Sequence, residues 1–181
     1  MLPLIIKRII NFGKKVMAKI TLKGNPVNTS GNLPVKGSIA PDFTLVKSDL
    51  GSLTLSELKG KKLVLSISPS LDTSVCATSV RKFNQLAAGK NNVMVLAITR
   101  DLPFAHGRFC STEGITNVVT LSGFRDLHFG KAYGVEIVDG LFAGLYARSI
   151  VVIDETGKVI YTQLVPEIAE EPDYTSALAV L

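Results

Sequence analysis

The apolar positions along the chain predict an alternation of strands and helices. Two nearly continuous apolar runs, at 63–68 and 93–98, have the length and composition of buried strands. Between them, residues 74–88 place Val80 and Phe83 three positions apart, with polar side chains on the other side of the predicted helix. A strand, a helix and a second strand in this order predict a right-handed crossover between two parallel strands.

Shorter elements continue this pattern on both sides. We expect helices at 103–113, 126–133 and 174–181, a helical turn at 55–60, and strands at 118–121, 149–154 and 158–164. Upstream, residues 18–37 show alternating runs broken at Asn25-Pro26 and at Ser30-Gly31, which predicts a small antiparallel hairpin. Residues 42–52 predict one strand followed by a turn. The expected fold is α/β: a mixed central sheet with helices on both faces and a β-hairpin at each end.

Length and composition indicate one folded domain. The chain has 181 residues, of which 46% are hydrophobic and 19% charged, and it contains no repeat and no linker. The net charge of +5 is concentrated at the start, because four basic residues precede Met17 and leave 16 basic against 15 acidic residues. Since the rest of the chain is nearly neutral, we expect no nucleic-acid partner.

Residues 1–16 differ in character from the rest. Their apolar stretch, 2–6, is too short for a secretory signal and precedes the charges, and no run approaches the roughly 20 apolar residues that a membrane span needs. We therefore expect an extension, either disordered or a mis-assigned start, followed by a domain at 17–181. The alternative is a short cationic amphipathic helix that lies on a membrane surface.

The chain has two cysteines, Cys76 and Cys110, which are too few for a disulfide scaffold or a zinc site of the Cys-x-x-Cys type. His106 and Cys110 lie one helical turn apart, which is the only spacing suggestive of a metal site. We expect no metal and no cofactor, and we expect His106 to be an exposed helix residue.

Cys76 lies where a reactive group is expected in an open α/β sheet, between the first core strand and its helix. If Thr73 or Ser74 caps the helix, Cys76 is its second or third residue. There, free backbone N–H groups and the positive end of the helix dipole favour the thiolate, which is the nucleophilic form. The position alone is equally compatible with a buried cysteine that packs as a small apolar side chain.

The pattern Pro-x-x-x-Thr-x-x-Cys, formed by Pro69, Thr73 and Cys76, resembles that of the peroxiredoxins, and specifically the bacterial thiol peroxidase subfamily of atypical 2-Cys type. The resemblance extends over 18–181, because the segments RKFNQLA, ITRDLPFAHGRFC, LSGFRDLHFGKAYGV and FAGLYARSIVVIDETGKV follow in the expected order. It implies a thioredoxin-like fold with an N-terminal β-hairpin.

The resemblance implies a role for each matching residue. Cys76 corresponds to the peroxidatic cysteine, Thr73 to its hydroxyl partner, Pro69 to the residue that shields the site from water, and Arg148 to the guanidinium supplied by a later strand. The reaction with a peroxide needs such groups, because the attacking thiolate requires hydrogen-bond donors for both peroxide oxygens. Neither histidine is placed by sequence to act as a base.

Cys110 corresponds to the resolving cysteine of the subfamily. A resolving thiol condenses with the sulfenic acid of the oxidised cysteine, and the resemblance implies that thioredoxin reduces the resulting disulfide. Bridged cysteines need Cα atoms within about 7 Å of each other. We therefore expect the start of the Cys76 helix, the Cys110 segment, or both to unwind.

The implied activity is reduction of hydrogen peroxide and alkyl hydroperoxides in antioxidant defence, by a homodimer in the cytoplasm, with the periplasm as the alternative. Five apolar residues are candidates for an entrance that favours alkyl hydroperoxides, although most should belong to the core: Phe43, Phe104, Phe124, Tyr133 and Leu145. Two other functions remain open. One is a peroxide-sensing relay protein with the same cysteines, and the other is a noncatalytic protein with a static disulfide.

Overall fold

A computed structural model describes residues 17–181, so the predictions for 1–16 lie outside the described residues. The strands are β1 (Lys19–Leu22), β2 (Asn25–Asn28), β3 (Thr44–Lys47), β4 (Ser52–Thr54), β5 (Lys62–Ile67), β6 (Val93–Thr99), β7 (Val118–Ser122), β8 (Ser149–Ile153) and β9 (Val159–Leu164). The helices are α1 (Ser74–Ala87), α2 (Pro103–Glu113), α3 (Phe129–Ala132) and α4 (Tyr174–Leu178), with a 3-10 helix at Leu55–Leu58. Within 17–181, no helix is both long enough and apolar enough to cross a membrane.

Seven strands form one mixed sheet in the order β4-β3-β7-β6-β5-β8-β9, and β1 and β2 pair separately as a hairpin. The central strands β5, β6 and β7 run parallel, and β3, β4, β8 and β9 add antiparallel pairs. The predicted mixed sheet and the hairpin at each end are therefore confirmed.

Side chains of β5 alternate between two apolar layers, because successive residues of a strand point to opposite faces. Leu63, Leu65 and Ile67 pack into one layer, which α3 and the 3-10 helix cover. Val64 packs into the other layer with side chains of α1, α2 and α4, including Phe83 of α1. The sheet thus has helices on both faces, as the pattern predicts.

The turn of the first hairpin is not where the sequence predicted it. Lys23 and Gly24 have positive φ values of 51° and 78° and form the two-residue connection, whereas Asn25 and Pro26 lie within β2. Two consecutive positive φ values give the tight turn that matches the twist of a hairpin. The predicted break at Asn25-Pro26 was wrong, and Pro26 is tolerated in β2 because its partner Thr21 directs its own N–H and C=O groups to Pro166 and Ile168, so the ladder needs no N–H group from Pro26.

Two other elements differ in extent. Residues 42–52 contain most of a hairpin, β3–β4, where a single strand and a turn were expected. The helix predicted at 126–133 is shortened to α3, because the Asp126 carboxylate accepts hydrogen bonds from the N–H groups of His128 and Phe129. This turn holds 126–128 outside the helix.

The sheet brings distant segments of the chain together at one edge, by which we mean the side of the sheet where strands begin or end. The parallel strands β5, β6 and β7 all end at this edge. Strand β8 runs antiparallel to β5 and begins at the same edge, with Ser149 opposite Ile67. As a result, the loop that leaves β5 lies beside the residue that precedes β8, which is Arg148.

Candidate active site

Cys76 is the third residue of α1, whose N-cap is Thr73, so its predicted position at the helix start is confirmed. The side chain is fully buried and its thiol is free. The first helical hydrogen bond runs from the N–H of Ala77 to the carbonyl of Thr73. The N–H groups of residues 74–76 precede that bond and therefore concentrate positive partial charge at the start of the helix.

The Thr73 hydroxyl contacts the sulfur instead of capping the helix. Its Oγ1 lies 2.8 Å from Cys76 Sγ and 3.0 Å from the carbonyl oxygen of Ser70, and it makes no capping hydrogen bond. A hydroxyl has one proton to donate. When the sulfur is a thiolate, that proton can be donated to it, and the hydroxyl then stabilises the nucleophile directly.

Arg148 contacts the same sulfur from the other side. Its Nη2 donates to Cys76 Sγ at 3.3 Å, and its Nε donates to the carbonyl of Ile168 at 2.9 Å. The side chain is only 3% exposed, and its Nη1 is buried without an acceptor among residues 17–181. The planar guanidinium is thus fixed at one end and presents an unused N–H donor group beside Cys76.

The carbonyl that holds Arg148 is itself positioned by a carboxylate that the sequence did not reveal. Glu167 precedes Ile168 and accepts four hydrogen bonds, from the Thr21 hydroxyl and from the N–H groups of Lys23, Gly24 and Ala169. These bonds lower the pKa of Glu167 to about 2. The N-terminal hairpin thereby fixes the segment against which Arg148 rests.

The loop before α1 is anchored to the neighbouring strand. Pro69 is buried two residues after the end of β5, at the start of this loop. Two positions later, the N–H of Leu71 donates to Asp101 Oδ2 at 2.7 Å. Asp101 follows β6, and sequence reasoning missed it because its partner in the loop is a backbone group that carries no signal in the sequence.

His106 was expected to be exposed, and this prediction was wrong. The side chain is fully buried, and its Nε2 lies 2.8 Å from Thr99 Oγ1. Burial lowers the pKa of His106, and the nearby charge of Asp101 opposes this effect. In the described part of the chain, no three His, Cys, Asp or Glu side chains are grouped so as to hold a metal ion.

Cys110 lies in α2, on a different helix from Cys76, as expected. Its half-buried Sγ is 3.6 Å from Thr120 Oγ1 on β7. Strand β7 is two strands away from β5, which corresponds to a separation of about 10 Å. The two cysteines thus pack near different strands, and both are free.

Only part of the predicted apolar entrance is exposed. Phe43 and Tyr133 are buried and pack with other aromatic rings in the core. Phe104 and Phe124 are exposed, and Leu145 is half-buried.

The chain is similar to known proteins over most of its length. The Redoxin family model matches residues 35–178. The chain is 56% identical over 165 residues to the thiol peroxidase of Mycobacterium tuberculosis and 54% identical to that of Corynebacterium glutamicum. Each alignment covers 91% of this chain and 99% of the relative.

Solved structures resemble this one as well. A crystal structure of a peroxiredoxin-like protein from Aquifex aeolicus is 43% identical in sequence, with a TM-score of 0.86, and the match covers 91% of this chain and 96% of that one. A thiol peroxidase from Chromobacterium violaceum has a TM-score of 0.83 at 21% identity, with 90% of this chain and 94% of that chain covered. The second match shows similarity of fold alone.

Proposed function

Because this chain belongs to the thiol peroxidases, a subfamily of the peroxiredoxins within the Redoxin family, and is therefore a peroxidase that works through a thiol, we propose that Cys76 is the cysteine that reacts with peroxide. The observation that carries the proposal is the pair of contacts to its sulfur, from the Thr73 hydroxyl at 2.8 Å and the Arg148 guanidinium at 3.3 Å. Both groups can stabilise a thiolate and a bound peroxide.

In the first step, the Cys76 thiolate attacks the terminal oxygen of a hydroperoxide. A sulfur–oxygen bond forms, the oxygen–oxygen bond breaks, and the leaving oxygen takes a proton to give an alcohol, or water when the substrate is hydrogen peroxide. Cys76 becomes a sulfenic acid. Negative charge moves from sulfur onto the oxygens during this step, and the unused Nη1 of Arg148 is available to stabilise it. Buried Pro69, at the start of the loop, limits access of water to the sulfur.

In the second step, Cys110 resolves the sulfenic acid. The Cys110 thiol attacks the oxidised sulfur, a disulfide forms, and the hydroxyl group leaves as water. An external dithiol, for which we propose thioredoxin, then reduces the disulfide by exchange. Cys76 and Cys110 of this chain are free, and a redox cycle of this kind needs a compartment that is kept reducing, which supports a cytoplasmic location.

We also propose that the protein is a homodimer. Leu102 and Phe104 follow β6, Phe124 follows β7, and all three side chains are exposed at the edge of the sheet where the Cys76 loop lies. Grouped exposed apolar side chains are typical of an interface between chains. The same exposed side chains can contact the alkyl group of an organic hydroperoxide.

Peroxide consumption with thioredoxin, thioredoxin reductase and NADPH tests the activity. Wild-type protein should turn over repeatedly and, after one equivalent of peroxide without reductant, should lose two hydrogens by mass as the Cys76–Cys110 disulfide forms. Cys76→Ser should be inactive. Arg148→Ala should react with peroxide about a hundredfold more slowly, since it lacks a fixed charged donor. Arg81→Ala, at an exposed arginine of α1 that pairs with Glu113, serves as the matched control and should react at the wild-type rate.

Two results would contradict the assignments. A Cys110→Ser protein should accumulate sulfenic or sulfinic acid at Cys76, and a Cys76 that stays reduced in this variant would contradict its role as the peroxide-reactive residue. The relay function would be favoured if wild-type protein stopped after one equivalent of peroxide in the presence of the complete reducing system.

A further inference from the structure

A chain of hydrogen bonds joins the loop before Cys76 to the helix that carries Cys110. Asp101 Oδ2 accepts from the N–H of Leu71 at 2.7 Å and from the Thr99 hydroxyl at 2.9 Å. Thr99 Oγ1 also lies 2.8 Å from Nε2 of His106. Leu71 belongs to the Cys76 loop, and His106 lies one turn before Cys110 in α2. The chain of bonds therefore connects the two segments that have to move before the disulfide forms.

The donors and acceptors in this chain are determined by the chemistry of Thr99. The Asp101 carboxylate is an acceptor, so the Thr99 hydroxyl donates its one hydrogen bond there and accepts hydrogen bonds from the Nε2–H of His106 and from the N–H of Asp101. Thr99 and His106 are fully buried, and Leu71 is buried as well. Asp101 is half-buried, so water reaches these hydrogen bonds less than it reaches an exposed contact, and each of them favours the observed position of the Leu71 loop, which we call the closed arrangement.

A second contact between the same two segments lies on the surface. Arg108 of α2 donates through Nη2 to both carboxylate oxygens of Asp72, at 2.9 and 3.1 Å. The Arg108 and Asp72 side chains are 66% and 61% exposed. Exposed ion pairs contribute little to stability because water and salt screen them. The less exposed bonds to Asp101 are therefore the stronger link between loop and helix.

We propose that Asp101 is a positioning residue that holds the Leu71 loop in the peroxide-reactive arrangement and thereby controls which of two fates follows oxidation of Cys76. In one fate, the loop opens and the Cys110 thiol attacks the sulfenic acid, which gives a disulfide and water. In the other, the loop stays closed and a second hydroperoxide oxidises the sulfenic acid to sulfinic acid and is itself reduced to an alcohol or water. The proposal rests on the proposed function, which supplies both reactions.

Rapid mixing of reduced protein with increasing hydrogen peroxide, followed by acid quench and mass spectrometry, measures the ratio of disulfide to sulfinic acid. Asp101→Ala removes the acceptor of the Leu71 N–H. The loop should then open more often, and the peroxide concentration that gives half sulfinic acid should rise about five- to tenfold. Thr99→Val keeps Asp101 but removes its buried hydroxyl partner, so it should change the ratio in the same direction by a smaller factor.

Arg108→Ala is the matched control, because it breaks the exposed contact between the same two segments. It should change the half-sulfinic concentration by less than about twofold. The rate of the first oxidation, measured in the same mixing experiment, should fall in Asp101→Ala because the peroxide-reactive arrangement is populated less. A residue that only stabilises the fold would lower the melting temperature and leave the ratio unchanged.

Three outcomes would overturn the proposal: an unchanged ratio in Asp101→Ala, a shift toward sulfinic acid, or an equal shift in Arg108→Ala. If Asp101→Ala does not fold, an unchanged ratio in Thr99→Val overturns it. Failure of the proposed function looks different, because wild-type protein would then form no Cys76–Cys110 disulfide at any peroxide concentration.

Discussion

At the scale of single residues, the site is built from side chains that do not make their most common contacts. A threonine at a helix N-cap typically accepts a hydrogen bond from the helix backbone, which stabilises the helix by about 1 kcal/mol. Thr73 instead directs its hydroxyl to Cys76. The helix start keeps its free N–H groups, and both they and the hydroxyl favour a negatively charged sulfur.

His106 is another residue whose surroundings determine its behaviour. Burial lowers its pKa from the ordinary value of 6.5, and the charge of Asp101 only partly opposes this. Between the folded pKa and 6.5, the unfolded chain therefore binds more protons than the folded chain. The contribution of His106 to stability is complete above pH 6.5 and is lost as the pH falls through the folded pKa.

We therefore expect the free energy of unfolding to fall below pH 6.5 with a slope from His106 of at most about 1.4 kcal/mol per pH unit. Urea unfolding at a series of pH values measures it. His106→Gln should lack this part of the slope, whereas His128→Gln, at an exposed histidine, should retain it. An identical slope in wild type and His106→Gln would show that His106 does not cause the dependence.

At the scale of elements, the position of Arg148 depends on two pairings. The antiparallel register of β5 and β8 brings it to the edge where the Cys76 loop begins. The segment after β9 then supplies the carbonyl of Ile168, and the Glu167 carboxylate ties that segment to the turn of the β1–β2 hairpin. The N-terminal hairpin, which contributes no side chain to the site, thus supports the arginine from a distance.

Glu167→Gln should slow the reaction of Cys76 with peroxide about tenfold, since an amide is a weaker acceptor than a carboxylate for the four groups that Glu167 binds. Stopped-flow measurement of peroxide consumption checks this. Because the pKa of Glu167 is about 2, its charge should cause no change in that rate between pH 4 and 9. Glu170→Gln, at an exposed neighbouring carboxylate, is the control and should react like wild type.

At the scale of the whole molecule, the two cysteines belong to neighbouring helices on one face of a rigid sheet. Helices α1 and α2 are joined by the ion pair of Arg81 and Glu113, more than one helical turn beyond Cys76 in α1. The central strands have almost entirely buried side chains, so they cannot move apart without exposing the core. Movement that brings the sulfurs together is therefore confined to the helix ends and the loop.

Hydrogen exchange should show that the helix ends and the loop open while the strands of the sheet stay protected. In the disulfide form, amides at 70–80 and 103–113 should exchange at least about tenfold faster than in the reduced form, while β5 and β8 keep their protection. Exchange measured by mass spectrometry on both forms provides the test, and a Cys110→Ser protein treated with peroxide controls for oxidation without bridging. Faster exchange throughout the sheet, or an unchanged exchange rate in both segments, would contradict this prediction.

The sequence by itself determined the local features of this protein. Strands β5 and β6, helix α1 and the position of Cys76 at its start all follow from the spacing of apolar and polar residues within a few turns of chain. The roles of Thr73, Arg148 and Cys110 came from resemblance to a family. Nothing near Arg148 or Cys110 in the chain reveals its partner, and the spacing of Thr73 and Cys76 does not show that the hydroxyl contacts the sulfur instead of the helix backbone.

Only the tertiary structure decided which distant groups meet. The register of β5 and β8 brings Arg148 to Cys76, and the contacts of Asp101 and Glu167 are made mainly with backbone N–H groups. Every residue except proline carries such a group, so no pattern in the sequence marks the one that will be bound. The burial of His106 has the same origin, since it depends on the strands and loops that α2 packs against and not on the residues beside it.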